Sequence, residues 1–252
     1  MNTSPSMSSG MVFDRTGISA VIFDYGGTLD TNARHWAHVL WEGYLRSGYF
    51  GRLTQEQFRL AYVFGERALA KAPIVCPQDN FRVVLEKKIE RETFFLCEEG
   101  ILDMNETRRM EAVRSVADYC YAYACRVTAR SRQVLLSLQE KYKLVLVSNF
   151  YGNIETVLQD FSLDFFGRII ESAVVGVRKP DPAIFRLGVE AAGCEPEACV
   201  VVGDSYEKDI VPARKAGCRT VWLKGEEWQP MEVDRSLSDA VITDLPQLLN
   251  LL

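Results

Sequence analysis

Four short segments of this 252-residue chain carry the side chains best suited to chemistry. Asp24 heads Asp24-Tyr25-Gly26-Gly27-Thr28-Leu29, directly after the apolar run Ile18–Phe23. A carboxylate held at a strand end by a tight turn can attack phosphorus and form an acyl phosphate. The glycines let backbone N–H groups approach phosphoryl oxygens closely. The plain alternative is an Asp that only caps its loop. Ser148-Asn149 follows Leu144–Val147, and the Ser148 hydroxyl can donate to a phosphoryl oxygen, although Ser-Asn is also an ordinary turn pair. Lys179, in Gly176-Val177-Arg178-Lys179-Pro180-Asp181-Pro182, offers a point charge against the repulsion between a phosphate dianion and carboxylates. Gly203-Asp204-Ser205-Tyr206-Glu207-Lys208-Asp209 sets two carboxylates five apart. With Asp24 they form an oxygen-rich set suited to Mg²⁺, which would clamp nucleophile and phosphate together. A helix cap and a surface charge are the plain alternative for this pair.

The elements that must position these residues are legible as short apolar runs. Ile18–Phe23, Leu144–Val147, Cys199–Val202, Thr220–Leu223 and Ala240–Ile242 read as strands. Ser131–Lys141, Pro182–Ala192 and Tyr206–Ala216 read as helices between them, with Asp181-Pro182 as a cap and first position and Gly193 and Gly217 as stops. Alternating strands and helices predict an α/β fold with a doubly wound parallel sheet. In such a sheet ligands bind beyond the carboxyl ends of the strands, where Asp24, Ser148 and Asp204 all fall.

From about Asn32 to Arg126 no strand is evident. Thr54-Gln55-Glu56-Gln57 fits a capping box, and Val113, Val116, Ala117, Cys120 and Ala124 share a helical face. The expected organisation is a flexible N-terminal tail at 1–16, an α/β core from 17–31 and 127–252, and an all-helical insertion at 32–126.

Bulk properties narrow the class. A net charge of -5 gives no broad basic surface for nucleic acid. No apolar run approaches the roughly 20 residues that span a bilayer, and the first ten residues do not resemble an export signal. A cytoplasmic protein with no membrane partner is expected. Seven cysteines without a CxxC pair predict reduced, mostly buried thiols. Oligomeric state is not legible.

Taken together, the four segments resemble the haloacid dehalogenase superfamily. Its pattern is an Asp nucleophile motif, a strand-end Ser or Thr, a Lys and a terminal acidic pair, in that order. The Gly-x-Arg-Lys-Pro-Asp-Pro and Gly-Asp-Ser-x-x-x-Asp forms are those of phosphatase-type members, and the helical insertion resembles the family's C1 cap. The resemblance implies Asp24 as nucleophile and metal ligand, the Gly26 carbonyl, Asp204 and Asp209 as further Mg²⁺ ligands, and Ser148 and Lys179 as phosphoryl-holding groups. It also implies that Thr28 orders the loop and that Gly27, Thr28 and Asn149 contact substrate. The partner so implied is a small phosphorylated molecule.

One position departs from the family pattern. Most of its phosphatases carry a second Asp two residues after the nucleophile to protonate the leaving group, and here Gly26 stands there. General acid–base catalysis is typically worth about 10²–10⁴-fold. Three readings follow. The first is a phosphatase with a substitute acid, for which His35 and His38 are candidates, or with a water in the vacated space. The second is a phosphonate P–C hydrolase with a Schiff-base lysine such as Lys71, Lys87 or Lys88. The third is a catalytically impaired member that binds a phosphorylated ligand or a protein.

Overall fold

The computed structural model describes residues 13–71, 73–226, 228 and 235–252. Six strands form one sheet: β1 (Ala20–Phe23), β2 (Lys143–Ser148), β3 (Arg168–Glu171), β4 (Cys199–Gly203), β5 (Arg219–Leu223) and β6 (Ala240–Ile242). Every pairing is parallel and the order is β3-β2-β1-β4-β5-β6, so the sheet is doubly wound outward from β1. The four side chains of β1 are fully buried. Val21 and Phe23 belong to one apolar cluster and Ala20 and Ile22 to another, as the two-residue period of a strand covered on both faces requires.

Five of the strands coincide with the apolar runs of the sequence. The sixth, β3, went unpredicted because only Ile169 and Ile170 separate Arg168 from Glu171. It is an edge strand, where a long apolar run is not needed.

The segment between β1 and β2 is helical: α1 (Trp36–Arg46), α2 (Gln55–Lys71), α3 (Phe81–Glu98) and α4 (Glu106–Leu138). The Thr54 capping box forms in both directions, with Thr54 N–H donating to Gln57 Oε1 at 3.0 Å and Gln57 N–H to Thr54 Oγ1 at 3.3 Å. Val113, Val116, Ala117, Cys120 and Ala124 are all fully buried on α4. This helix is 33 residues long and runs unbroken through position 126, where the insertion was expected to end. Its C-terminal part is the helix expected from Ser131, and there Ser131 Oγ donates to the Leu29 carbonyl beside the Asp24 loop at 2.7 Å. One apolar cluster contains both Val21 and Phe23 of the sheet and Leu40, Phe58 and Ala117 of the insertion, so the helices are packed onto the core.

After β2 come α5 (Ile154–Asp160), α6 (Ser172–Val175), α7 (Ala183–Ala192), α8 (Val211–Lys215) and α9 (Leu248–Leu251). Asp181 Oδ1 accepts from the Ala183 N–H at 2.9 Å, and Gly193 ends α7 with φ 61°. The helix expected at Tyr206–Ala216 is divided into a π-helical turn, Tyr206–Ile210, and then α8, with Pro212 in its first turn.

Of the tail expected at 1–16, residues 1–12 lie outside those described. Phe13 packs on the core cluster and Arg219 donates to the Asp14 carbonyl at 2.5 Å, so the expected tail is anchored where it is described. All seven cysteines are free. Three are buried, three half-buried and Cys76 is exposed, which is less burial than expected. Among the described residues no helix is long and apolar enough to cross a membrane.

Candidate active site

The parallel register brings the carboxyl ends of β1, β2 and β4 together. Phe23 lies level with Leu146 on one side and Val202 on the other, and the Asp24 N–H donates to the Val202 carbonyl at 3.0 Å. Asp24, one residue past β1, and Asp204, one past β4, therefore emerge as neighbours. The π-helical turn then returns Asp209 to the same place. Each of Asp24, Asp204 and Asp209 offers an oxygen within 4.8 Å of the others.

Lys179 reaches this cluster from the loop before α7. Its Nζ lies 2.5 Å from Asp24 Oδ1 and 2.7 Å from Asp209 Oδ1, and it is almost wholly buried. Asn149 fixes the lysine's backbone on both sides: its Oδ1 accepts from Lys179 N–H at 2.9 Å and its Nδ2 donates to the Lys179 carbonyl at 3.1 Å. Thr28 Oγ1 lies 3.1 Å from both Asp24 Oδ2 and Asp204 Oδ1 and accepts from the Asp204 N–H at 3.0 Å. The Ser205 N–H donates to Asp209 Oδ2 at 3.0 Å, and Trp222 Nε1 donates to the Asp204 carbonyl at 2.8 Å.

Two glycines make the packing of these carboxylates possible. A Cβ on Gly27, whose φ is +99°, would stand 2.4 Å from Asp204 Oδ2, and one on Gly203 would stand 2.4 Å from Asp209 Cβ.

The charges are not balanced within the cluster. Burial pushes the Asp24 carboxyl up to about 6 against the pull of Lys179. Burial, then Asp24 and Asp209, push Asp204 well above the usual carboxylate range. Burial pulls Lys179 down, but Asp209 and Asp24 more than offset it and hold the ammonium above its ordinary value. One lysine against three converging carboxylates leaves net negative charge among hard oxygen donors. That is the donor set of a small divalent cation, so the residues fit Mg²⁺.

These groups line one end of a cavity of about 780 Å³ together with Gly26 and Asn149. Three expected site residues have other roles. Ser148 is buried at the end of β2 and does not line the cavity; the next residue, Asn149, does. Thr28 is also off the wall and serves the two aspartates. Gly27 N–H is committed to Asp30 Oδ1 at 2.7 Å, and its carbonyl accepts from Thr31 Oγ1 and the Ala33 N–H, so its backbone is spoken for. The expectation that glycine N–H groups here face phosphate does not hold for Gly27.

The lysines and histidines named as a candidate Schiff base or substitute acid lie on or near the helical side of the cavity. Lys88 on α3 is buried, pairs with Glu66 and lies over the Tyr62 ring at 4.3 Å. Burial pulls Lys88 down, yet Glu66 and Glu92 hold it above the ordinary lysine value, so it is an ammonium and not the free amine of a Schiff base. Lys87 is tied to Asp79 at 2.5 Å and does not line the cavity, while Lys71 stands exposed at its rim. His35 caps α1 by accepting from the Ala37 N–H at 3.1 Å, and burial, aided by Lys88, lowers it to about 4. A neutral His35 has no spare proton to give at neutral pH. His38 is not on the cavity wall and faces Trp228 and Glu226.

A family model for haloacid dehalogenase-like hydrolases matches residues 18–217. The chain belongs to that family. Among curated proteins it is 39% identical over 90 residues to a glyceraldehyde 3-phosphate phosphatase of Pyrococcus furiosus, covering 35% of this chain and 38% of the relative. It is 31% identical over 151 residues to haloacid dehalogenase-like hydrolase domain-containing protein 3 of Mus musculus, covering 56% and 59%. It is 45% identical over 58 residues to a phosphoserine phosphatase of Thermus thermophilus, covering 23% of each. The matches thus span less than two thirds of these relatives. Among solved structures it resembles a dehalogenase with a TM-score of 0.60 at 17% identity, covering 94% of this chain and 97% of that one. It also resembles magnesium-bound YfnB of Bacillus subtilis, with a TM-score of 0.58 at 18% identity, covering 92% and 97%. At those identities the likeness concerns the fold alone.

Proposed function

We propose that this chain is a Mg²⁺-dependent phosphohydrolase that removes the phosphoryl group of a small metabolite through an aspartyl phosphate on Asp24. The observation that carries the reading is the convergence of Asp24, Asp204, Asp209 and Lys179 at one end of a cavity far larger than a phosphate ion. Pockets of about 300–1,000 Å³ suit whole small molecules. A phosphoryl group would sit against Asp24 and Lys179, and the rest of the substrate would lie toward the helical insertion, the proposed cap at 32–126.

In this reading Asp24 attacks phosphorus, and Lys179 screens the negative charge of the phosphoryl oxygens from the carboxylates. Asp24, the Gly26 carbonyl, Asp204 and Asp209 hold Mg²⁺, which when bound neutralises charge on the phosphoryl group and nucleophile. Thr28 sets the Asp24 and Asp204 carboxylates relative to each other, and Asn149 sets Lys179. Ser148 supports the site from the end of β2. The phosphonate alternative loses its best lysine, because Lys88 is held as an ammonium. Seven unpaired cysteines fit a reducing, cytoplasmic setting.

The test is phosphate release from 4-nitrophenyl phosphate and from a phosphometabolite panel that begins with glyceraldehyde 3-phosphate and phosphoserine. Turnover that requires Mg²⁺ and is abolished in Asp24→Asn supports the reading. Full activity in excess chelator removes the metal assignment, and silence toward every member removes the hydrolase assignment.

A further inference from the structure

The proposed reaction leaves one chemical role without a residue. A leaving alkoxide or phenoxide needs a proton, and Gly26 cannot give one. A Cβ added at Gly26 would meet nothing within 4 Å, so the space beside the nucleophile loop is open. Asp30 stands on the wall of the same cavity. The residue is 1% exposed and its carboxyl is held at both ends: Oδ1 accepts from Gly27 N–H at 2.7 Å and Oδ2 from Trp36 Nε1 at 2.8 Å. A carboxylate has about four acceptor sites, so two remain for a proton. Gly27 carries Asp30 on its nitrogen and packs on Asp204 through its α-carbon, which ties Asp30 to the catalytic end of the cavity.

We propose that Asp30 is the general acid and base of this site, in the role that a side chain at position 26 would otherwise fill. The proposal rests on the phosphohydrolase reading above. In the first step an Asp24 oxygen bonds to phosphorus, the phosphorus–oxygen bond to the leaving group breaks, and its electron pair takes the Asp30 proton, releasing the alcohol. In the second, water attacks the phosphorus of the aspartyl phosphate and gives a proton to the Asp30 carboxylate. The bond to Asp24 breaks, its electron pair returns to the Asp24 carboxylate, and hydrogen phosphate leaves. Asp30 ends protonated, as it began.

Of the other carboxyls on the wall outside the proposed metal cluster, Glu207 is exposed to solvent, and Glu66 and Glu226 are engaged. Glu66 pairs with Lys88 and lies below its ordinary value, because Lys88 outweighs burial. Glu226 pairs with Arg34 in an exposed position. Burial raises Asp30 to about 7, against the pull of Gly27 N–H and Trp36, so both protonation states are accessible near neutrality.

The experiment measures kcat/KM for Asp30→Asn and wild type on substituted phenyl phosphates, from 4-nitrophenyl phosphate to unsubstituted phenyl phosphate. The slope against leaving-group acidity is independent of the folded fraction. Expected is a loss of about 10²-fold or more for phenyl phosphate and under about tenfold for 4-nitrophenyl phosphate, whose leaving group needs little protonation. Asp24 should also stay phosphorylated longer in the variant. Gly26→Asp in the Asp30→Asn background should restore the shallow slope. An equal loss across the series overturns the proposal, as does a wholly inactive Asp30→Asn that Gly26→Asp does not rescue. Turnover by wild type with no change of slope would sink the Asp30 role alone, whereas wild-type silence on the whole series and the metabolite panel would sink the phosphohydrolase reading and this role with it.

Discussion

Lys179 holds its ammonium 2.5 Å from Asp24 Oδ1 although 155 residues separate the two in sequence. The same nitrogen is 2.7 Å from Asp209. The proposed nucleophile is thus kept ionisable in a buried setting by a cation that also faces a proposed metal ligand. Breaking a buried pair of this kind typically costs about 3–5 kcal/mol, because the remaining charge is stranded. Lys179→Met is expected to lower stability toward the lower end of that range in urea unfolding and to reduce kcat/KM by at least about 10²-fold. A variant with wild-type urea midpoint and activity would contradict the role of the pair.

The two close-packed glycines make a steric prediction. Gly27→Ala and Gly203→Ala place a methyl group into the carboxyls of Asp204 and Asp209 respectively. Each should raise the Mg²⁺ concentration for half-maximal activity by about tenfold or more, since a misplaced ligand typically costs 10–100-fold in metal affinity. Gly51→Ala, where an added Cβ meets nothing within 4 Å, serves as the control and should match wild type. Unchanged Mg²⁺ titrations in the first two variants would remove Asp204 and Asp209 from the metal site.

Asn149 pins Lys179 through both atoms of its amide. Asn149→Ala strands the Lys179 backbone N–H and carbonyl, a loss of about 1–3 kcal/mol. Activity should fall mainly through kcat, because the lysine loses its position rather than its charge. A rise in KM alone would instead mark Asn149 as a substrate contact.

Much of this arrangement was legible before the structure, and for a physical reason. Asp24, Asp204 and Lys179 follow short apolar runs or stand in a proline-bounded loop, and parallel pairing brings strand ends together whatever lies between them. What remained hidden depends on three-dimensional partners. The commitment of Gly27 to Asp30 and of Asn149 to Lys179 is invisible in spacing. Ser148 stands at a strand end like Asp24, but which of Ser148 and Asn149 meets the cavity is set by the local path of the chain. The α4 helix crosses the expected boundary because its apolar face continues from Cys120 and Ala124 to Val134 and Leu138 without a breaking residue. Burial, which lowers His35 and raises Asp30, is a property of the packed fold.

Glu92 on α3 offers a pH test of the helical insertion. It is fully buried, one of its oxygens lacks a hydrogen-bond partner among the described residues, and Tyr44 donates to the other at 2.9 Å. Burial raises it to about 7, against the pull of Lys88 and Tyr44, from an ordinary 4.5. The native state therefore holds a proton that the unfolded chain has released between those values. Stability should fall as pH rises through that window, by on the order of 3 kcal/mol. Glu92→Gln lacks this fall, so the variant should gain relative to wild type between pH 5 and pH 8 in urea unfolding. Parallel pH curves for the two proteins would contradict the raised value.

The most direct measurement is the mass of the chain quenched in acid during Mg²⁺-supported turnover of 4-nitrophenyl phosphate, followed by peptide mapping. The expected result is one added phosphoryl group on the peptide containing Asp24, absent without Mg²⁺ and absent in Asp24→Asn. Turnover with that peptide unmodified, or a phosphoryl group that persists in Asp24→Asn, would contradict Asp24 as the nucleophile.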